Sequence, residues 1–242
     1  MTRCEVLSDG MTLLVDETHV SPTVALALWV PRGAADEPEE HSGVFHFLEH
    51  MLHKDRAGAA RSLSRVVQDA GGYLNARTGL DHTAYYQVVP SEGWRDVLSS
   101  VHAMLSRAEF SSDDVDSERR VIAEESKIAE RDPSVFLWRR LIEAAFEGSG
   151  YGRPIVGTEE SLAGIDAGVL SDFFYRHYRP DGMFQVVVGD VCADEVVGTM
   201  MDMAEARSSL TPGQAAPTVS NGGVGRSVSR PPEWTPSRVA FS

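Results

Sequence analysis

Apolar residues fall in short runs near the start of the chain and in helical periods through its middle. Residues 11–15 form a short apolar run, and 23–30 (TVALALWV) are almost continuously apolar, the pattern of a buried strand. Pro31-Arg32-Gly33 ends that strand, and an acidic loop at 36–40 leads into an apolar helical stretch at 43–52. Residues 61–70 predict a second helix closed by Gly71-Gly72, and 83–89 (TAYYQVV) predict a strand rich in residues that suit a pleated surface.

Helical patterns then dominate. One covers 92–107, and a longer one runs to about residue 130 behind the N-cap candidates Ser111, Ser112, Asp113 and Asp114. Asp132-Pro133 breaks it, and a further helix is predicted over 135–146. After a turn-rich stretch at 148–157 come a helix near 167–177, a strand at 183–188 (MFQVVV) and a last helix from 193 to about 206. Residues 208–236 are dominated by Ser, Thr, Pro and Gly and predict a linker or tail, and 238–242 look like the start of another strand. The expected organisation is one domain over 1–206 followed by a tail at 207–242, with no internal repeat.

Composition narrows the choice of function. A chain of 242 residues can bury a full core, and its formal net charge of -14 argues against nucleic acid or an anionic membrane surface as partner. Cys4 and Cys192, far apart and without metal-ligand spacing, are no disulfide framework. The first residues show no basic segment followed by an apolar run, and no stretch has the apolar length of a membrane span. The expectation is a cytoplasmic protein.

The candidate chemistry lies in His46-Phe47-Leu48-Glu49-His50. Residues four apart on a helix are separated by about 40° around its axis, so both imidazoles project from one face and can hold a zinc ion. Glu49 lies about 60° from His46, where it can take a proton from an attacking water without competing for the metal. Two surface histidines beside an unrelated glutamate would give the same letters. The flanks, however, are Val44, Phe45, Phe47, Leu48, Met51 and Leu52, and ionisable groups in so apolar a helix are costly without a ligand.

An open catalytic zinc site needs a third protein ligand. On the long helix, with Val121 set at 0°, an apolar stripe holds Ile128 at roughly -20°, Ala129 at roughly 80° and Ile122 at roughly 100°. Glu125 at about 40° and Glu118 at about 60° fall within that stripe, and Glu124 at about -60° falls outside it. Glu125 is therefore the expected third ligand and Glu118 the carboxylate that orients a histidine. A solvated charged helix with accidental phase is the alternative.

These residues resemble a known family. The segment from His46 to His50 is the inverted zinc motif of the inverzincins, and the chain is similar to the pitrilysin, insulin-degrading enzyme and mitochondrial processing peptidase family. Glu118-Arg119-Arg120-Val121-Ile122-Ala123-Glu124-Glu125 matches that family's distal helix, at a similar spacing from His50. Gly72-Tyr73-Leu74-Asn75-Ala76-Arg77-Thr78 and Thr83-Ala84-Tyr85-Tyr86 resemble its sheet-edge segment. Gly152-Arg153-Pro154-Ile155-Val156-Gly157-Thr158 and His177-Tyr178-Arg179-Pro180 are similar to later motifs. The match runs from about residue 5 to 205.

The resemblance implies an α+β domain, an antiparallel sheet covered on one face by helices. It also implies an extended peptide substrate lying along a sheet edge that Asn75 and Ala76 help form. From its own neighbours, Asn75 reads as a turn residue after Gly71-Gly72, and His82 beside Asp81 as a loop residue. His41, His53 and Cys4 have no assigned role.

Family peptidases pair this domain with a second, similarly folded one that contributes an Arg and a Tyr to the substrate carbonyl. Here the sequence stops after the linker, so the resemblance implies either a fragment or the catalytic subunit of a split enzyme, working as a heterodimer with a homologous non-catalytic chain. His53 and Asp55 stand where the family usually has an aromatic residue and a glycine. The leading expectation is a Zn2+ endopeptidase subunit that cleaves peptides or a small precursor. A non-catalytic scaffold of the same fold is the runner-up, but such members usually lose a ligand or the base, and this chain keeps all four. A metal-binding regulatory protein has only the ligands in its support.

Overall fold

The computed structural model describes residues 2–54, 62–106 and 108–209, all belonging to one compact unit. The proposed tail beyond residue 209, the strand expected at 238–242, and the ends of the predicted helices at residues 61 and 107 lie outside the described residues.

Six strands form one sheet: β1 (Thr2–Val6), β2 (Thr12–Glu17), β3 (Thr23–Val30), β4 (Tyr73–Thr78), β5 (Thr83–Pro90) and β6 (Phe184–Gly189). Their order across the sheet is β1-β2-β6-β3-β5-β4, which leaves β1 and β4 as its edges. β1 pairs with β2, β3 with β5 and β6, and β4 with β5, all antiparallel. β6 inserts between β2 and β3, which run in opposite directions, so it lies parallel to β2. The sequence patterns did not indicate β1 or this parallel pairing.

The helices are α1 (Val44–His53), α2 (Leu63–Asp69), α3 (Trp94–Ser106), α4 (Ser112–Glu130), α5 (Pro133–Ala145), α6 (Glu159–Ala163), α7 (Ala167–His177) and α8 (Ala193–Ser209). Capping decides several of these starts. Ser111 accepts from the Asp114 N–H at the head of α4, and Asp132 accepts from Ser134 and Val135 ahead of Pro133 in α5. The last helix runs three residues past the expected boundary at 206, and no helix among the described residues is long and apolar enough to cross a membrane.

The helices cover one face of the sheet, as expected. Val24, Leu26, Leu28 and Val30 of β3 are fully buried against them with Phe45, Phe47, Leu98 and Phe174, while the alternate residues Ala25 and Trp29 face outward and are exposed. The apolar run of β3 thus predicted more burial than this chain supplies. The outer face carries Trp29 beside Ala84 and Phe184, Ala27 beside Tyr86 and Val186, and Ala25 beside Val88 and Val188, with no charge among them.

Candidate metal centre

α1 carries the first part of the site. Val44, Phe45, Phe47, Leu48, Met51 and Leu52 are buried in the core and fix the helix's rotation. That leaves His46, Glu49 and His50 on its remaining face. The imidazoles of His46 and His50 stand edge to face, with centroids 4.6 Å apart.

α4 supplies the carboxylates, although its buried stripe is not the one the sequence predicted. Val115 and Ile122 are buried, whereas Val121 and Ile128 are 50% and 65% exposed. The true stripe is centred near Ile122, because α1 packs there. Glu118 lies on its margin, largely buried, and Glu125 lies on the open rim rather than within the stripe. Glu124 pairs with Lys127 on the exposed side of α4 at 2.8 Å.

The two histidines and Glu125 nevertheless converge. Glu125 Oε2 lies 3.3 Å from His50 Nε2 and 3.8 Å from His46 Nε2, and ligand atoms from all three residues lie within 4.8 Å of one another. A tetrahedral zinc ion with ligand distances of about 2.0–2.2 Å holds its donors roughly 3.3 Å apart, so nitrogen, nitrogen and oxygen suit it in both type and spacing. Glu118 Oε1 lies 2.9 Å from His50 Nδ1, which sets the ring so that Nε2 presents its lone pair toward Glu125. Burial, and then the neighbouring His50, lower the pKa of His46 to about 4, so its imidazole is neutral and able to ligate near pH 7.

Glu49 sits beside this trio. Burial raises its pKa above the ordinary carboxylate value, against the hydrogen bond it accepts from Thr78 Oγ1 at 2.5 Å. Thr78 is buried at the end of β4, and sequence reasoning assigned it no role. Lys54 was also missed: its Nζ lies 3.2 Å from Glu118 Oε2 and donates to the Asp114 carbonyl at 3.3 Å. Neither residue stands at a spacing that would have marked it, because both reach the site across tertiary contacts.

A cleft of about 400 Å³ opens beside the metal ligands, lined by Glu49, His50, His53, Lys54, Asn75, Ala76 and Glu118. Asn75 and Ala76 lie in strand β4 at the sheet's free edge, not in a turn. The Ala76 N–H is taken by the Asn75 side chain at 2.8 Å, and Asn75 Nδ2 donates to the Tyr73 hydroxyl at 2.9 Å. His82 packs on Trp29, His53 stacks on Tyr85, and His41 meets the edge of Phe173, all away from the ligand trio.

Comparison with known proteins gives the same assignment. The family model described as "Insulinase (Peptidase family M16)" matches residues 12–159, more than half of the chain, and the chain belongs to that family. An uncharacterised zinc protease of Mycobacterium leprae is 30% identical over 197 residues, covering 81% of this chain and 44% of the relative. The beta subunit of the mitochondrial-processing peptidase of Dictyostelium discoideum is 28% identical, covering 81% and 42%. An M16-like peptidase from Alicyclobacillus acidocaldarius has the same fold, with a TM-score of 0.79 at 22% identity over 85% of this chain and 49% of that one. The chain thus spans about half the length of the relatives it matches.

Proposed function

We propose that this member of the M16 family is the metal-binding, catalytic half of a zinc-dependent endopeptidase that hydrolyses peptides or a small precursor, acting with a separate homologous half. The observation that carries the reading is the convergence of His46 Nε2, His50 Nε2 and Glu125 Oε2 with Glu49 beside them. All four groups are present together, which favours catalysis over the scaffold role.

A zinc ion held by His46, His50 and Glu125 supplies Lewis-acid polarisation of a peptide carbonyl and acidifies water. The chain's own groups do the rest. Glu49 accepts the proton of the attacking water and can deliver it to the departing amine. Its raised pKa brings it closer to the proton affinity such a base needs near neutrality. Thr78 holds the carboxylate in place, and Glu118 orients His50. An extended substrate adds to the edge of β4, where its carbonyl can replace the Asn75 side chain on the Ala76 N–H.

Two features support a second half. The chain spans about half of its relatives, and one of those is named as a subunit. The outer face of the sheet is apolar across β3, β5 and β6, yet Trp29, Val88 and Phe184 are exposed there, the condition of a face that another domain covers. Cys4 and Cys192 are free and exposed, which fits the reducing cytoplasm as the site of action.

The test is zinc content by mass spectrometry together with peptide cleavage, with and without a co-expressed second-half homologue. Wild type is expected to hold one zinc per chain and to cleave only with the partner, and Glu125→Ala to lose the metal. A wild-type chain that binds no zinc overturns the reading, and one that cleaves fully alone removes the split-enzyme part of it.

A further inference from the structure

The two histidine ligands are held in different ways. His50 is aimed by a side chain, since Glu118 Oε1 meets its Nδ1 at 2.9 Å. His46 Nδ1 is buried without a hydrogen-bond partner among the described residues. Metal-ligating histidines almost always use their second ring nitrogen to fix the ring. Something else must place His46, and the candidate is the backbone that carries it, because His46 sits in the first turn of α1.

That first turn is unusually constrained. The N-cap of α1 is Gly43, at a φ of 93°, with no side chain to satisfy the N–H groups that a helix start leaves unpaired. Glu37, six residues upstream and only 3% exposed, does so instead. Its Oε2 accepts from the Gly43 N–H at 2.6 Å and its Oε1 from the Phe45 N–H at 2.9 Å. Phe45 immediately precedes His46. Arg153 donates to the Glu37 carbonyl, which anchors the capping residue from a distant loop. That loop also presses on the cap directly: a Cβ on Gly43 would lie 2.8 Å from the Val156 carbonyl oxygen, so only glycine fits.

We propose that Glu37 is a positioning residue of the metal centre: by bracketing the N–H groups on either side of the α1 start, its buried carboxylate holds the turn that aims His46 at Glu125. The inference rests on the metal-binding reading above. Two backbone N–H donors and the positive end of the helix favour a carboxylate at this place. Burial opposes them and pushes the Glu37 pKa up to about 7, a cost that the fold bears to keep this group where it is.

Glu37→Gln is nearly isosteric and keeps one good acceptor, whereas Glu37→Ala removes both. Ser161→Ala serves as control. Ser161 Oγ donates to the Ser42 carbonyl at 2.7 Å and holds the same loop, but touches neither α1 N–H. The assays are Zn2+ affinity by chelator competition, the visible spectrum of the Co2+-loaded protein, and thermal melting. Glu37→Ala should bind Zn2+ about 10–100-fold more weakly, the range seen when a ligand's outer support is lost, with an altered Co2+ spectrum and Glu37→Gln in between. Ser161→Ala should lower the melting temperature with Zn2+ affinity and Co2+ spectrum unchanged.

A Glu37→Gln protein with wild-type affinity and an unaltered spectrum overturns the proposal while leaving the metal site itself intact. Failure of the wild type to take up Zn2+ or Co2+ refutes the site as well. Should the variants not fold, amide exchange in the metal-free wild type decides: the Gly43 and Phe45 N–H groups must be protected well above their neighbours in the preceding loop, and free exchange at both refutes the role.

Discussion

Replacing Glu49 by glutamine separates the base from the metal site more cleanly than any other change. The glutamine amide oxygen can still accept from Thr78 Oγ1, now 2.5 Å from the carboxylate, so the side chain keeps its position. The three ligand groups are untouched, since Glu49 is not among the converging atoms. What is lost is proton transfer, which typically contributes about 10²–10⁴-fold to a rate. That corresponds to roughly 3–5 kcal/mol of barrier at about 1.4 kcal/mol per tenfold. In the assembled enzyme, kcat for peptide cleavage should fall within that range, with one zinc per chain retained. Stability moves the other way. Burial raises the Glu49 pKa above its unfolded value, so its contribution to stability is fully present below the unfolded pKa and is lost as pH rises through the folded pKa. The glutamine removes that loss. The metal-free variant should therefore melt at or above the wild-type temperature at pH 8, with the difference vanishing at pH 4. A fall in kcat of less than tenfold would show that Glu49 is not the base. Loss of zinc would show that it belongs to the ligand set.

Two further outcomes are expected. Thr78→Val removes the hydrogen bond that lowers the Glu49 pKa, so the acidic limb of the kcat/KM profile should move to higher pH with the plateau rate little changed; an unmoved limb would deny the contact a catalytic meaning. Glu118→Ala frees the His50 ring and leaves Lys54 without its largely buried partner, and should weaken Zn2+ about 10–100-fold in a chelator competition. Unchanged affinity there would mean that packing alone orients His50.

The sequence by itself determined what depends on local periodicity and on side-chain chemistry. The helix of His46, Glu49 and His50 follows from apolar neighbours that bury all but one of its faces. The starts of α4 and α5 follow from Ser111 and Asp132, whose side chains cap N–H groups two or three residues on. Glu125 and Glu118 were legible as carboxylates of one helix face, spaced by two turns.

The phase of α4 was not legible in the same way. Val121 and Ile128 are apolar enough to read as core, but α1 and the sheet pack nearer Ile122, and only packing decides which of two neighbouring stripes is buried. Tertiary structure also decided that β6, from the far end of the domain, inserts between β2 and β3 and so lies parallel to one and antiparallel to the other. Thr78, Lys54 and Glu37 escaped notice because each acts through an atom brought near by the fold. Hydrogen bonds between distant segments leave no period in the sequence, whereas helices and strands must.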